Sequence, residues 1–502
     1  MNQRKIGILL SYVNIILQAV VGFLYVPILL YFIGASEYGL YQLIGSLIAY
    51  FSIMDFGLTA TVTRFYSKYK ALNEYKNMEN ILAIALGAYS IIAVLAACVG
   101  SIAYYFVDDI FANSMTSYEI IKAKELYLLL LVNIVLTLLG MLFKAIINSH
   151  QKFWFLKGLD TIQFLIQPLL IVLILSKYPS AYSVALVQTF LNCTLISARI
   201  YYCFKKLHIK IRFHYWNHEL YVDFRRLALS VFIVAIIDQI FWKTNQIILG
   251  VTRGTFDVAV YSLASLIYMN YMALSLAISG VYLPHITELV AKNAAVEELS
   301  ELFIQIGRWQ YYVLALVTTG FIIFGQQFIS IWAGEKFHDA YIITLLIIIP
   351  FTIDLIQNIG NSILQAYNLY GIRARTLLVV GILNLCLAIP LGKLYGGIGC
   401  AFATGLSMLI GNGIIMNWYY HKYVGLNIKQ FWNEIIKVTS IIFITLIVGQ
   451  LSNVILTSSS KLLFLVKIIG YTIIYCFVIY KFAMSESEKI EVTRVINKFQ
   501  RR

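Results

Sequence analysis

Asp354, Asn358, Asn361, Gln365 and Asn368 recur at i, i+4, i+7, i+11 and i+14 in an otherwise apolar stretch, the spacing that puts polar side chains on one stripe of a single helix. Such a stripe cannot face lipid. It reads either as a wall of a water-filled path that offers hydrogen bonds to ligand hydroxyls, or as glue between helices worth about 0.6 kcal/mol per contact. In another apolar run stand Asp238 and Lys243. At about 100° per residue they point about 140° apart, so they make an awkward pair; Asp238 shares a face with Asn245 and Lys243 with Gln239. A desolvated cation such as Lys243, or Arg64 at the end of an earlier run, is suited to holding a multiply charged anion where water is scarce. The alternatives are a structural ion pair for Lys243 and a snorkelling side chain for Arg64. Asp55, Asp238 and Asp354 are the carboxylates able to take up and release a proton in a low-dielectric setting. Asn14 and Gln18 lie four apart, and Asp160, Gln163 and Gln167 share a face; both sets read as cavity lining or helix contact.

These groups must be carried by elements that span a membrane. Of the 502 residues, 60 % are hydrophobic and only 12 % charged, with a mean hydropathy of +0.80. A soluble chain carries about a quarter charged residues, so a cytosolic enzyme is excluded and an all-α polytopic membrane protein remains. A crossing needs roughly 20 apolar residues. On that measure about fourteen spans are expected, the first over Ile6 to Ile33, the seventh over Leu227 to Gly250 and the tenth over Tyr341 to Leu364. The first run is too long for a cleaved signal. The six cysteines have no metal or redox spacing and read as small core hydrophobes.

Taking the N-terminus as cytoplasmic puts 29 of the 38 Lys and Arg residues at inner segments and 8 at outer ones. Both termini are therefore expected inside the cell, in the cytoplasmic (inner) membrane. This bias, together with attraction to anionic lipids, accounts for the net charge of +14 without nucleic acid.

A shift of 220 positions lays the segment from Gly34 over the segment from Gly254, with Glu37 on Asp257, Tyr41 on Tyr261 and Leu43 on Leu263. Each segment is the outer turn between the first two spans of a six-span unit, and an even span number makes the repeat parallel. The expected organisation is a six-helix bundle over 1–203, a basic cytoplasmic linker over 204–226, a second six-helix bundle over 227–420, two further spans over 421–482 and a cytoplasmic tail over 483–502. The bundles are expected to face each other around a central cavity. The tail carries Ser485-x-x-Glu488, a capping-box pattern, then Val492, Val495, Ile496 and Phe499 with basic residues between, and reads as an amphipathic helix on the inner surface.

Val26 to Tyr69 resembles the N-terminal signature of the polysaccharide flippases in the multidrug/oligosaccharidyl-lipid/polysaccharide exporter superfamily. Pro27, Gly34, Tyr38, Gly39, Tyr41, Asp55, Gly57, Leu58 and Arg64 hold the places of that signature. A second segment, from Asn245, is similar to the family's seventh and eighth spans. It departs from them in having Asn245 where many members have an acidic residue. The resemblance implies a flippase that moves an undecaprenyl-pyrophosphate-linked oligosaccharide between leaflets by alternating access, driven by an ion gradient, with a glycan polymerase as a candidate partner. Two rival expectations are an antiporter of small cationic drugs, which calls for an acidic cavity, and a non-transporting scaffold in glycan assembly. An enzyme is not expected: there is no P-loop, no G-x-S-x-G, no H-E-x-x-H and no large outer loop, and no cofactor or metal is called for.

Overall fold

The computed structural model describes residues 3–215, 218–367, 369–455 and 461–500. It is 90 % helical, and no strand occurs among the described residues. The helices are α1 (Gln3–Ala49), α2 (Leu58–Ala71), α3 (Tyr75–Tyr105), α4 (Val107–Phe111), α5 (Ser117–Ser149), α6 (Phe153–Leu175), α7 (Ala181–Lys205), α8 (His218–Thr252) and α9 (Thr255–Ala291). They continue with α10 (Val296–Trp332), α11 (Asp339–Leu355), α12 (Asn358–Ala366), α13 (Tyr370–Met408), α14 (Met416–Tyr419), α15 (Ile428–Ile455), α16 (Lys461–Val478) and α17 (Glu486–Gln500).

Among the described residues, eleven helical segments are long and apolar enough to cross a membrane. The two longest, Leu17–Ala71 and Gly371–Val424, are interrupted by glycines in the left-handed region. Gly34 has φ 74° and Gly396 has φ 60°, conformations that a side chain would strain. Counted as pairs, and with the 35-residue α8, these segments reach the fourteen expected from hydropathy. The repeat has a backbone counterpart: Gly34 and Gly254, superposed by the 220-residue shift, both have positive φ, 74° and 92°. Many large apolar side chains, among them Leu24, Val94, Leu169, Ile414 and Leu462, are exposed, as a lipid-facing surface requires. Three of the cysteines, Cys98, Cys386 and Cys476, are also exposed rather than in the core, while Cys203 and Cys400 are buried.

The chain divides into two compact units: Met1–Leu266 with Leu385–Cys400, and Ile267–Asn384 with Ala401–Arg502. In the first, α2, α3 and α5 share an apolar cluster built on Val62, Tyr66, Leu82, Tyr89, Leu142 and Ile146. Gly39 lets the backbone approach closely in this unit, since a Cβ at that position would sit 1.8 Å from the Thr255 carbonyl oxygen. In the second unit, α10, α15 and α16 pack around Tyr312, Phe324, Ile442, Tyr471 and Tyr475.

Two expectations are corrected in the second unit. The polar stripe does not ride on one continuous helix, because α11 ends at Leu355 and α12 begins at Asn358. The buried Gln357 causes the break: its side-chain amide donates to the Ile353 carbonyl at 2.9 Å, the acceptor its own backbone N–H would use in an α-helix. That N–H turns instead to the Asp354 carbonyl at 3.1 Å, a tighter 3₁₀ bond that shifts the phase of everything after it. Asp354 is thus separated from the helix that carries Asn358, Asn361 and Gln365, and Asn368 lies outside the described residues.

The second correction concerns the tail. Helix α17 forms, and its capping box is present, with the Ser485 amide donating to Glu488 at 2.7 Å and the Glu488 amide to Ser485 Oγ at 3.4 Å. Yet Glu488 is only 2 % exposed. The Arg308 guanidinium on α10 grips it through Nε and Nη2, both at 2.9 Å, while Nη1 donates to Glu434 on α15. The tail is docked on protein through a buried ion pair, not merely laid on a surface.

Candidate functional site

A cavity of about 420 Å³ opens within the first unit, among α1, α5, α6, α7 and α8. Each helix contributes polar side chains spaced to face one way: Tyr41, Gln42 and Ser46 from α1, Asn133 and Thr137 from α5, Gln188 and Asn192 from α7. The last two pairs are each four apart, one turn along a helix, and so point together. Gln163 enters from α6, and Lys243 from α8 supplies the positive charge. No carboxylate lines this space among the described residues.

The walls are tied to each other. Asn192 donates to Asn133 Oδ1 and Thr137 Oγ1, both at 2.6 Å, and Asn133 donates to Thr189 at 3.0 Å, so α5 and α7 are clamped by side-chain amides. The Tyr41 hydroxyl donates to Gln188 Oε1 at 2.5 Å, joining α1 to α7. On the other flank Ser46 bonds Gln246, and Gln246 donates to Ser262 at 3.0 Å, which links α1, α8 and α9. The Tyr50 and Thr244 hydroxyls are hydrogen-bonded at 2.5 Å. Networks of this kind hold lining groups in place, so their remaining donors and acceptors point into the cavity without reorganisation.

Lys243 is half-buried and has no hydrogen-bonding or ionic partner among the described residues. A cation in that position is costly unless water or an anion compensates it. The arrangement therefore sets one ammonium among neutral groups able to donate and accept hydrogen bonds.

The other residues singled out in the sequence sit elsewhere. Asn14 is buried between α1 and α6, donating to the Lys157 carbonyl at 3.1 Å and accepting from Thr161 at 2.6 Å, while Gln18 is exposed. Arg64 is exposed on α2, over the Phe65 ring at 5.9 Å, and does not reach the cavity. Asp55 closes the turn before α2 and accepts from Tyr89 at 2.8 Å and Thr59 at 2.9 Å. Asp238 is exposed. Asp160 meets Arg199 at 3.4 Å, leaving Gln163 as the member of its face that reaches the cavity.

In the second unit Asp354 lies 3.3 Å from Arg373 through both carboxylate oxygens, and Arg373 also donates to Asn412 at 2.6 Å. Asn361 donates to Asn358 at 2.9 Å, Asn358 to Ser279 at 3.0 Å, and Tyr420 to Asn361 at 3.2 Å. These amides bridge helices, and Gln365 is exposed. Sequence reasoning named Tyr41 only as a signature and repeat position, and missed Gln42, Ser46, Asn133, Thr137, Gln188 and Asn192. The i, i+4 polar pairs on α5 and α7 were the signal that could have found four of them.

Residues 5–290, more than half of the chain, match the model of a family described as polysaccharide biosynthesis protein. The chain belongs to this family. It is 22 % identical over 506 residues to the uncharacterized membrane protein EpsK of Bacillus subtilis, covering 95 % of this chain and 94 % of that protein. It is 23 % identical over 406 residues to a putative O-antigen transporter of Shigella flexneri, covering 78 % of this chain and 91 % of that protein. The fold is that of the lipid II flippase MurJ in its inward closed conformation, with a TM-score of 0.71 at 17 % identity over 94 % of this chain and 98 % of MurJ. The chain is thus a multi-pass membrane protein of the polysaccharide biosynthesis family, with the fold of MurJ.

Proposed function

We propose that this family member is a flippase that moves an undecaprenyl-pyrophosphate-linked oligosaccharide from the inner to the outer leaflet of the cytoplasmic membrane by alternating access, coupled to an ion gradient. The observation that carries the reading is Lys243 in a polar cavity without a carboxylate among its described lining residues. In this scheme the ammonium takes the pyrophosphate, and Asn133, Gln163, Gln188 and Asn192 exchange hydrogen bonds with sugar hydroxyls. A volume of about 420 Å³ is in the range of small-ligand sites, so it admits a head group and leaves the polyprenyl tail in lipid. The names of the O-antigen transporter and of the lipid II flippase support a lipid-linked glycan cargo.

Both termini lie in the cytoplasm in this scheme, as the excess of Lys and Arg on one set of loops favours. Those loops attract anionic lipids. Asp55, Asp238 and Asp354 are the proposed coupling carboxylates, and a glycan polymerase is the proposed protein partner. Arg64, Asn14, Gln18, Asn358, Asn361 and Gln365 remain proposed contacts for the cargo in conformations other than this one.

The test is reconstitution into liposomes with a fluorescent undecaprenyl-pyrophosphate oligosaccharide, read by an impermeant quencher. Protein-dependent loss of protection is expected, with no uptake of ethidium. Ethidium uptake without movement of the lipid-linked sugar would establish the antiporter instead, and movement of neither would leave a scaffold.

A further inference from the structure

The first unit holds a second cavity, of about 460 Å³, at the end that carries its basic loops. Tyr66 and Lys70 from the end of α2, with Asn73 just after it, form one wall, His150 after α5 a second, and His208 and Lys210 beyond α7 a third. The third wall is a strap that lies across the helix ends. Its far end is pinned by the buried Asn80, whose Oδ1 accepts from the amides of His214 and Tyr215 at 2.9 and 3.2 Å and whose Nδ2 donates to the Tyr215 carbonyl at 2.9 Å. Its near end is anchored by Ile209, buried in the apolar cluster together with Cys203. The space beneath it is therefore built into the fold.

The chemistry of that space is cationic. Lys70 Nζ lies 2.9 Å from His150 Nδ1. An ammonium has no lone pair to offer, so Nδ1 is the acceptor and the imidazole proton sits on Nε2, which faces the Tyr66 hydroxyl at 3.1 Å. Burial, and then the charges of Lys70 and Lys152, push the His150 pKa down to about 4, so the ring stays neutral at physiological pH. A neutral acceptor thus aims Lys70 and leaves its full charge and two N–H groups for a ligand. Glu79 also lines the cavity, but it meets His214 at 2.9 Å. No carboxylate pairs with Lys70 or Lys210 among the described residues.

We propose that this cavity binds a phosphate-bearing anion at a site separate from the Lys243 cavity, held by Lys70 and Lys210 under the strap. The phosphate belongs either to the head group of a membrane lipid or to a soluble ion, and the test distinguishes the two. Full-length protein in phosphatidylcholine nanodiscs is titrated calorimetrically with inorganic pyrophosphate. In a second arm, nanodiscs that also contain phosphatidylglycerol are used, and the lipids that remain bound are counted by native mass spectrometry. The variants are Lys70→Gln and Lys210→Gln, with Lys292→Gln, an exposed lysine beyond the end of α9, as the control; Lys210 is exposed on the strap, so its removal leaves the core intact if Lys70→Gln does not fold. Loss of a charge-assisted bond should weaken binding about tenfold. Weakened pyrophosphate affinity in the Lys70 or Lys210 variant but not the control identifies a soluble anion. Loss of one retained phosphatidylglycerol without pyrophosphate binding identifies a lipid head group. Equal binding of both probes by wild type and variants, or binding of neither probe by wild type, overturns the proposal.

Discussion

Replacing Lys243 with alanine is expected to slow translocation of the lipid-linked oligosaccharide about 100-fold at unchanged protein level, while Lys243→Arg stays within about tenfold of wild type. The size follows from where the charge sits. Two unit charges 4 Å apart attract by about 4 kcal/mol at an effective dielectric near 20, and about 2.7 kcal/mol is a 100-fold change in rate. Lys243 projects into a space lined by neutral amides and hydroxyls, so no neighbouring cation is at hand to substitute. Arginine keeps the charge but presents a larger, planar donor set, hence the intermediate value. The check is the quencher assay in liposomes, with reconstituted amounts matched. Identical rates for the alanine and arginine variants would remove Lys243 from the path.

Arg308→Ala is expected to lower the thermal midpoint by about 10 °C and to expose the tail to protease. Both partners of this pair are buried, Arg308 at 8 % and Glu488 at 2 % exposure, and stranding one charge of a buried pair costs about 3–5 kcal/mol. A unit of this size loses about 2–4 °C per kcal/mol. Replacing both partners with apolar side chains, Arg308→Met with Glu488→Leu, should be milder than Arg308→Ala, because no lone charge is then left at the buried position 488 and Glu434 keeps its pair with Lys437; a double variant as damaged as the single one would contradict this. Acid should release the tail as well. Burial alone would raise the Glu488 carboxyl, but bonds from Arg308, the Ser485 amide and Tyr312 outweigh it and hold the carboxyl below its usual range. A carboxylate depressed on folding stabilises fully above its unfolded pKa, about 4.3, and loses that contribution as pH falls through the folded value. Tail cleavage should therefore be flat at neutral pH and rise only below about pH 4. A rise already near pH 6 would point to a histidine instead.

Local features of the fold are legible in the order of residues alone. Gly34, Gly254 and Gly396 stand where the runs of apolar residues break, and all three have positive φ, because only a residue without a Cβ turns the chain so sharply without strain. Lys243 is legible for a related reason: an unscreened cation in an apolar run needs compensation whatever the fold. Contacts set by tertiary packing are not. The break at Gln357 has no proline or glycine to announce it and follows from one side chain displacing its own backbone N–H at Ile353. The pairing of Arg308 with Glu488 joins residues 180 positions apart, as the clamp between Asn133 and Asn192 joins two helices 59 apart. A single polar side chain in an apolar span looks the same in sequence whether it glues helices or lines a cavity. Asn14, bonded across to α6, and Gln163, which lines the cavity, illustrate the two outcomes.

Everything in the proposed transport cycle depends on the Lys243 cavity being wet and able to take cargo. The most direct measurement keeps Lys243, places single cysteines at the lining positions Gly45, Thr137 and Asn192 in a cysteine-free background and labels them with a hydrophilic, membrane-impermeant thiol reagent in oriented vesicles, with and without the lipid-linked oligosaccharide. Labelling is expected at all three positions, with protection by cargo at each. Labelling that never occurs from either side, or that is indifferent to cargo at every position, would contradict it.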